Sequence, residues 1–172
     1  VAANAVDFQQ AVTVAGVMMV NANQLTAYAS VTANGLIWEV LQDITIHASP
    51  TVTGTMGDGD IGLLKLISQQ GKIDFTGQDF QVRNGHLILS AAQGFTDTIR
   101  VQARALTAIN RDSGDYRDII VRESDDLQIL DHGLADGGVY SQYGQIDIEL
   151  AAADVLLQLD SGVISTATSG QD

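Results

Sequence analysis

The sequence predicts an all-β fold, specifically a parallel β-solenoid (β-helix) of about six coils. Three observations support this prediction. Short apolar–x–apolar segments recur along the chain, helical spacing is scarce, and glycine-containing turns recur at intervals of 24–30 residues. Residues two apart in a strand share a face, so each segment directs two apolar side chains to one side.

The strand segments define the repeating unit. They are rich in Val, Ile and Leu, as strands usually are. The segments cover residues 12–14, 44–46, 73–75, 80–82, 87–89, 99–101, 119–121, 127–129 and 146–148. Two or three such strands per interval are what one coil of a β-helix needs.

The glycine-containing turns set the period of the repeat. The glycines that mark it are Gly35, Gly59, Gly85, Gly114, Gly144 and Gly170. A period in this range is typical of stacked repeat architectures. The connections lengthen at residues 110–116 and 131–143, and long insertions in a solenoid indicate its functional flank.

Two structural alternatives remain open from the sequence alone. An antiparallel β-sandwich or jelly roll also uses short strands, and Asn84-Gly85 is a plausible hairpin turn within it. Residues 36–42 have apolar spacing compatible with a short helix.

The chain is expected to form a single domain over residues 1–172. Residues 36–172 would supply the coils, whereas residues 1–35 fit the period poorly and could form a cap or an interlocking strand. The chain starts at Val1, which suggests processing or excision from a longer chain. Both ends stop abruptly, so we expect each to contact a neighbour.

Composition limits the possible partners. There are 21 acidic and 8 basic residues, giving a net charge of −13, which disfavours nucleic acid and anionic membranes. The absence of Cys excludes disulfides, thiolate metal sites and thiol catalysis. No apolar run is long enough to span a membrane, so no membrane insertion is expected.

Several segments resemble filamentous-haemagglutinin-type repeats of giant bacterial surface adhesins. Residues 71–82, 86–91, 144–159 and 161–166 carry the pattern, for example Gly144-Gln-Ile-Asp-Ile-Glu-Leu-Ala. The resemblance is periodic and covers roughly residues 59–172. It implies a secreted, right-handed β-helix at the bacterial cell surface, used as a stalk, fibre or adhesin, with no catalytic residues to transfer.

Two acidic turns are candidate calcium sites. Asp58 and Asp60 flank Gly59, and Asp112 and Asp115 flank Ser113-Gly114. Ca²⁺ prefers carboxylate and carbonyl oxygens in flexible loops. Neither turn has the EF-hand or nonapeptide pattern, so ordinary turn formation is the competing interpretation. No other cofactor is expected.

Aromatic residues offer a weak signal for glycan binding. Tyr140 and Tyr143 form the one close pair, in a long loop, and Trp38, Tyr28 and Tyr116 could add to a carbohydrate-binding face. The three histidines, His47, His86 and His132, have no metal-ligand spacing, and His47 and His86 are expected to face outward at the surface.

The expected function is therefore structural and not enzymatic. The chain would be a module of an extracellular fibre, filament or adhesin that stacks with copies of itself or with adjacent repeats. One alternative is a pilus or capsid subunit that donates residues 11–33 to a neighbour. Another is a carbohydrate-active β-helix enzyme, suggested by Asp125-Asp126 and Asp131-His132-Gly133, although its expected Arg-x-Lys is missing.

Overall fold

The computed structural model describes residues 3–55, 62–124, 126–131, 137–151, 157–160 and 162–165. These residues form strands, turns and bends, with no helix among them. The strands are β1 (Ala3–Phe8), β2 (Val12–Ala27), β3 (Val31–Val40), β4 (Ile44–Ile46), β5 (Thr51–Val52), β6 (Leu63–Ser68), β7 (Ile73–Asp74), β8 (Asp79–Ala91), β9 (Ile99–Asn110), β10 (Ile119–Glu123), β11 (Leu127–Ile129), β12 (Val139–Ser141), β13 (Ile146–Leu150), β14 (Leu157–Leu159) and β15 (Val163–Ser165). The prediction of an all-β fold is confirmed.

All of these strands belong to one 15-stranded sheet. Every strand pair in the described ranges is parallel. Paired residues lie from 18 positions apart, as for Val17 and Gly35, to 31 apart, as for Ala108 and Val139. Parallel neighbours require a crossover between them, so the arrangement is consistent with a β-solenoid. The antiparallel sandwich is not observed in this part of the chain.

The strand register aligns inward-facing residues into columns that cross the sheet. The leucine column contains Met18, Leu36, Leu64, Leu87, Leu106, Ile129 and Leu159. The tryptophan column contains Val20, Trp38, Leu66, Leu89, Ala108, Val139 and Val163. In each column the five middle members are fully buried. Close-packed ladders of this kind form the core, with a step of about 4.8 Å between strands.

The alternative of a short helix at residues 36–42 is not observed, because residues 36–40 belong to β3. Leu36, Trp38 and Val40 alternate toward the core, as strand residues do. Helix-like spacing arose because Ile37, on the opposite face, is also only 6% exposed. Ile37 packs with Leu63 and Ile88 in a small second apolar cluster.

The Asn-Gly pairs are not hairpin turns. Asn84-Gly85 lies inside β8, where the register with β9 shifts between Val82 and His86. A Cβ on Gly85 would lie 2.0 Å from the carbonyl oxygen of Gly62, so a close backbone approach requires glycine there. Glycine therefore marks a change of direction within a strand, a role that glycine can have in strands as well as in turns.

The N-terminal region joins the same sheet. β1 pairs with the second half of β2, and β2 pairs with β3 along most of its length. Phe8 stacks on Trp38, with ring centroids 5.6 Å apart. Residues 11–33 are thus largely strand within this chain's own sheet, while the proposed division at residue 35 stays a prediction.

Candidate functional site

One outer edge of the sheet is formed by β13, β14 and β15, which we call the C-terminal edge. These strands pair inward with β10, β11 and β12 respectively. No further strand of the described ranges pairs on their outer side. Within the described ranges, their backbone N–H and C=O groups on that side therefore have no pairing strand.

The apolar columns are exposed where they reach this edge. Leu159 ends the leucine column with 56% of its surface exposed, and Val163 ends the tryptophan column with 40% exposed. Their neighbours one strand inward, Ile129 and Val139, are fully buried. The edge thus has the same side-chain pattern as the core but lacks the next layer.

The opposite edge is formed by β1 and residues 12–20 of β2, which we call the N-terminal edge. β1 pairs with β2 only between Ala22 and Ala27, so residues 12–20 have no described partner on their outer side. Met18 and Val20, which begin the two apolar columns, are partly buried, and Met19 is 63% exposed. Both edges consist of parallel strands, so a layer added at either one can continue the same pairing.

Charge differs between the two edges. On the N-terminal edge, β2 contains no charged residue and β1 contains one, Asp7. On β13, Asp147 and Glu149 are 60% and 63% exposed and form ion pairs with Arg122, at 2.9 and 2.7 Å. Two C-terminal edges placed together would bring these carboxylates close to one another, which costs free energy. A C-terminal edge against an N-terminal edge avoids that repulsion.

Polar residues occupy a third column at a corner of the core. This corner column contains Ala22, Val40, Ser68, Ala91, Asn110, Ser141 and Ser165. Asn110 is 0% exposed; its Nδ2 donates to the carbonyl oxygens of Tyr116 at 2.7 Å and Asp118 at 3.3 Å, and its Oδ1 accepts from Asp112 N at 2.9 Å. The predicted functional loop at 110–116 is therefore held by a buried side chain that the apolar pattern did not reveal.

Two turns leaving the corner column are built alike. Ser141 Oγ donates to the carbonyl oxygen of Arg117 at 2.8 Å and accepts from Gly144 N at 2.9 Å. Ser68 makes the equivalent bonds to the Gln42 carbonyl and to Gly71 N. These serines bind each turn to the preceding strand layer, and the shared Ser-Gln-x-Gly motif is the signal that could have identified them.

Asp74 is held by hydrogen bonds in another turn. Burial raises the pKa of Asp74, but hydrogen bonds from Thr96 and Thr76, together with the charge of Lys72, outweigh burial and hold that pKa below its usual value. The Thr96 and Thr76 hydroxyls lie 2.9 and 3.1 Å from Asp74 Oδ1. The carboxylate is thus stabilised in its ionised form.

Asp97 lies in the adjacent layer and is ionised for a related reason. The N–H of Gly77, 2.9 Å from Oδ2, is the main cause that lowers the pKa of Asp97. Burial opposes it, while the N–H of Thr98 and the guanidinium of Arg100 lower the pKa further. Both aspartates join neighbouring turns, so their role here is structural.

The calcium candidates are only partly described. Asp58 and Asp60 lie outside the described residues. Asp112 Oδ2 accepts a hydrogen bond from Tyr116 N at 2.9 Å, and Asp115 is exposed. The described residues contain no group of three or more His, Asp or Glu side chains arranged to hold a metal ion. Calcium binding stays a prediction.

Tyr140 and Tyr143 do not stack on each other, and glycan binding by this pair stays a prediction. Tyr140 is partly buried on β12, and Tyr143 is 46% exposed in the following turn. The ring pairs found in the described ranges do not include these two. Trp38 is fully buried in the core, so its proposed role in glycan binding is wrong.

One histidine prediction is wrong as well. His47 is exposed, as predicted, and stacks on Tyr28. His86 is only 3% exposed, and its Nε2 lies 2.9 Å from Thr107 Oγ1. Alternation placed His86 outside the core correctly, but this part of the sheet is buried on its outer face as well, beside Ile88.

The residues suggested for glycoside hydrolysis are only partly described, so this alternative stays a prediction. Asp125, His132 and Gly133 lie outside the described residues, while Asp126 and Asp131 are exposed. The described part of the chain contains no helix long and apolar enough to cross a membrane. Comparison of the chain with family models, curated proteins and solved structures finds no match.

Proposed function

We propose that this chain is a structural module, a right-handed parallel β-solenoid of about six coils that stacks end to end with copies of itself or with adjacent repeats. Parallel crossovers in one sheet are almost always right-handed, which supports the handedness. The columns that pass through successive strands support the coils.

The observation that carries the proposal is the end of the apolar columns at the C-terminal edge. Leu159 and Val163 are exposed there, although every inner member of their columns is buried. Burial of such side chains is favourable by about 1.5–3 kcal/mol each when complete. Pairing of the open backbone groups adds to this, and a second layer supplies both interactions at once.

Charge and strand direction favour one orientation of stacking. The uncharged β2 of one module fits against the C-terminal edge of the next, with strands parallel throughout. Such a head-to-tail contact does not close, so it generates a filament or a continuous rod. A role in an extracellular bacterial surface fibre or adhesin follows from the repeat resemblance.

Sedimentation of charge variants in β15 tests the stacking. Val163 and Ile164 are adjacent and similarly exposed, at 40% and 45%, but they project from opposite sides of the strand. We expect the wild-type chain to form larger species as its concentration rises. Val163→Asp should abolish association, because stacking would bury the new charge, whereas Ile164→Asp should retain it.

The two variants distinguish stacking through the apolar column from non-specific association of the exposed edge. Equal loss of association in both variants would show that the apolar column is not the contact. A wild-type chain that stays monomeric at the highest attainable concentration would contradict stacking between copies. Circular dichroism of both variants checks that the strands remain folded.

A further inference from the structure

A continuous furrow runs across the strands on one flank of the sheet. It consists of three adjoining grooves with volumes of about 660, 430 and 250 Å³. Arg83 and Asn84 line the first two grooves, Gln102 and Ser124 line the first and third, and Gln81 lines the second and third. We call these three grooves together the axial furrow, since they cross successive strands.

The floor of the axial furrow is polar and regular. Thr51, Gln81 and Gln102 are paired in successive strands, so their side chains form one outward-facing row. All three are partly buried. Amide and hydroxyl groups repeated at about the 4.8 Å strand spacing suit a ligand that is itself a linear repeat rich in hydroxyl groups.

The furrow also collects positive charge on a strongly acidic protein. Of the eight basic residues, four line it, namely Arg83, Arg100, Arg104 and Arg122. Arg100 is paired with Asp97, and Arg122 with two carboxylates of β13. The acidic lining residues include Asp79 and Asp126.

Arg83 and Arg104 are the two furrow arginines best placed to bind an anionic ligand. They follow the paired residues Val82 and Ala103, so they occupy neighbouring strands immediately before the register shift. Both are exposed, and neither forms an ion pair with a carboxylate of the described residues; Arg83 Nε donates instead to Gln102 Oε1 at 3.0 Å. Like charges on neighbouring strands repel, so an anion bound between them would relieve that cost.

We propose that the axial furrow binds a linear polysaccharide bearing carboxylate groups. Arg83 and Arg104 would bind the carboxylates, because guanidinium groups match carboxylates in bidentate geometry. The row of Thr51, Gln81 and Gln102 would bind hydroxyl groups along the polymer. A nucleic acid fits poorly, because its binding depends on many phosphate contacts and two of the four arginines that line the furrow are already ion-paired.

Titration with polygalacturonate at low ionic strength tests this proposal, with dextran as the uncharged control. The double variant Arg83→Gln/Arg104→Gln should weaken binding at least about tenfold, since each lost bond involves a charged donor. The matched control for each single variant, Arg83→Gln or Arg104→Gln, is Arg117→Gln, which removes one positive charge from an exposed residue outside the furrow. It should bind as the wild type does.

Further arms identify the ligand chemistry. Arg104→Lys keeps the charge but loses the planar guanidinium, so an intermediate loss is expected. No binding of polygalacturonate, or equal binding by the furrow and control variants, would overturn the proposal. Binding of single-stranded DNA or of dextran sulfate, which is sulfated but has no carboxylates, as tight as that of polygalacturonate would overturn the assignment to a carboxylated glycan. Stacking is measured separately and does not depend on these residues.

Discussion

Replacing the same residue type at the middle and at the end of one column gives the sharpest stability test. Leu87 lies in the middle of the leucine column and is 0% exposed, whereas Leu159 ends it and is 56% exposed. Leu87→Ala removes three carbon atoms, about 2.4 kcal/mol of transfer free energy at ~0.8 kcal/mol each. The cavity left between fixed strands raises the expected loss to about 3–5 kcal/mol.

Leu159→Ala should cost much less in the isolated chain. More than half of this side chain already contacts solvent, so about 1 kcal/mol of transfer free energy is lost and no enclosed cavity forms. The assay is urea unfolding followed by far-ultraviolet circular dichroism, at concentrations where sedimentation shows monomers. Comparable losses at the two positions would refute the placement of Leu159 at an open end.

Three further predictions concern the turns. Asn110→Ala should lower the free energy of unfolding by about 2–4 kcal/mol, because three hydrogen bonds of a buried amide are lost. Thermal unfolding measures this loss, and a value below about 1 kcal/mol would contradict the assigned hydrogen-bond network. Gly144→Ala should lower the free energy of unfolding by about 1–3 kcal/mol, since the new Cβ would lie 2.1 Å from the Arg117 carbonyl oxygen. Gly16→Ala should be nearly neutral, because no atom lies within 4 Å of its Cβ position, and equal effects of the two variants in urea unfolding would count against the contact at Gly144. Because the pKa of Asp97 is lowered in the folded state, its stabilisation is present above about pH 4 and is lost as the pH falls through the folded-state pKa. Asp97→Asn should therefore flatten the plot of unfolding free energy against pH between about pH 5 and 2. An unchanged slope would show that Asp97 does not contribute to this pH dependence.

The strand positions could be read from the sequence with little ambiguity. Eight of the nine apolar–x–apolar segments, such as 87–89 and 146–148, fall within a strand, because alternation follows directly from strand geometry, and 73–75 extends one residue beyond β7. The parallel pairing was inferred from the glycine period, and the structure contains it. Strand lengths were not predictable, because Asn84-Gly85 bends β8 without ending it.

The candidate sites were less predictable because they depend on register. Arg83 and Arg104 lie 21 positions apart in the chain, and only the pairing of Val82 with Ala103 makes them neighbours. Likewise, His86 is buried because the outer face of its strand is covered at that point, which local alternation cannot show. Acidic turns and aromatic pairs are visible in sequence, but their spatial partners are not.

Imaging of the wild-type chain by electron microscopy tests end-to-end stacking most directly. We expect unbranched rods of uniform width whose length increases with protein concentration, because each added module extends the columns that end at Leu159 and Val163. Val163→Asp should leave only single short particles. Single particles from the wild type at every concentration, or aggregates that grow side by side, would contradict the account.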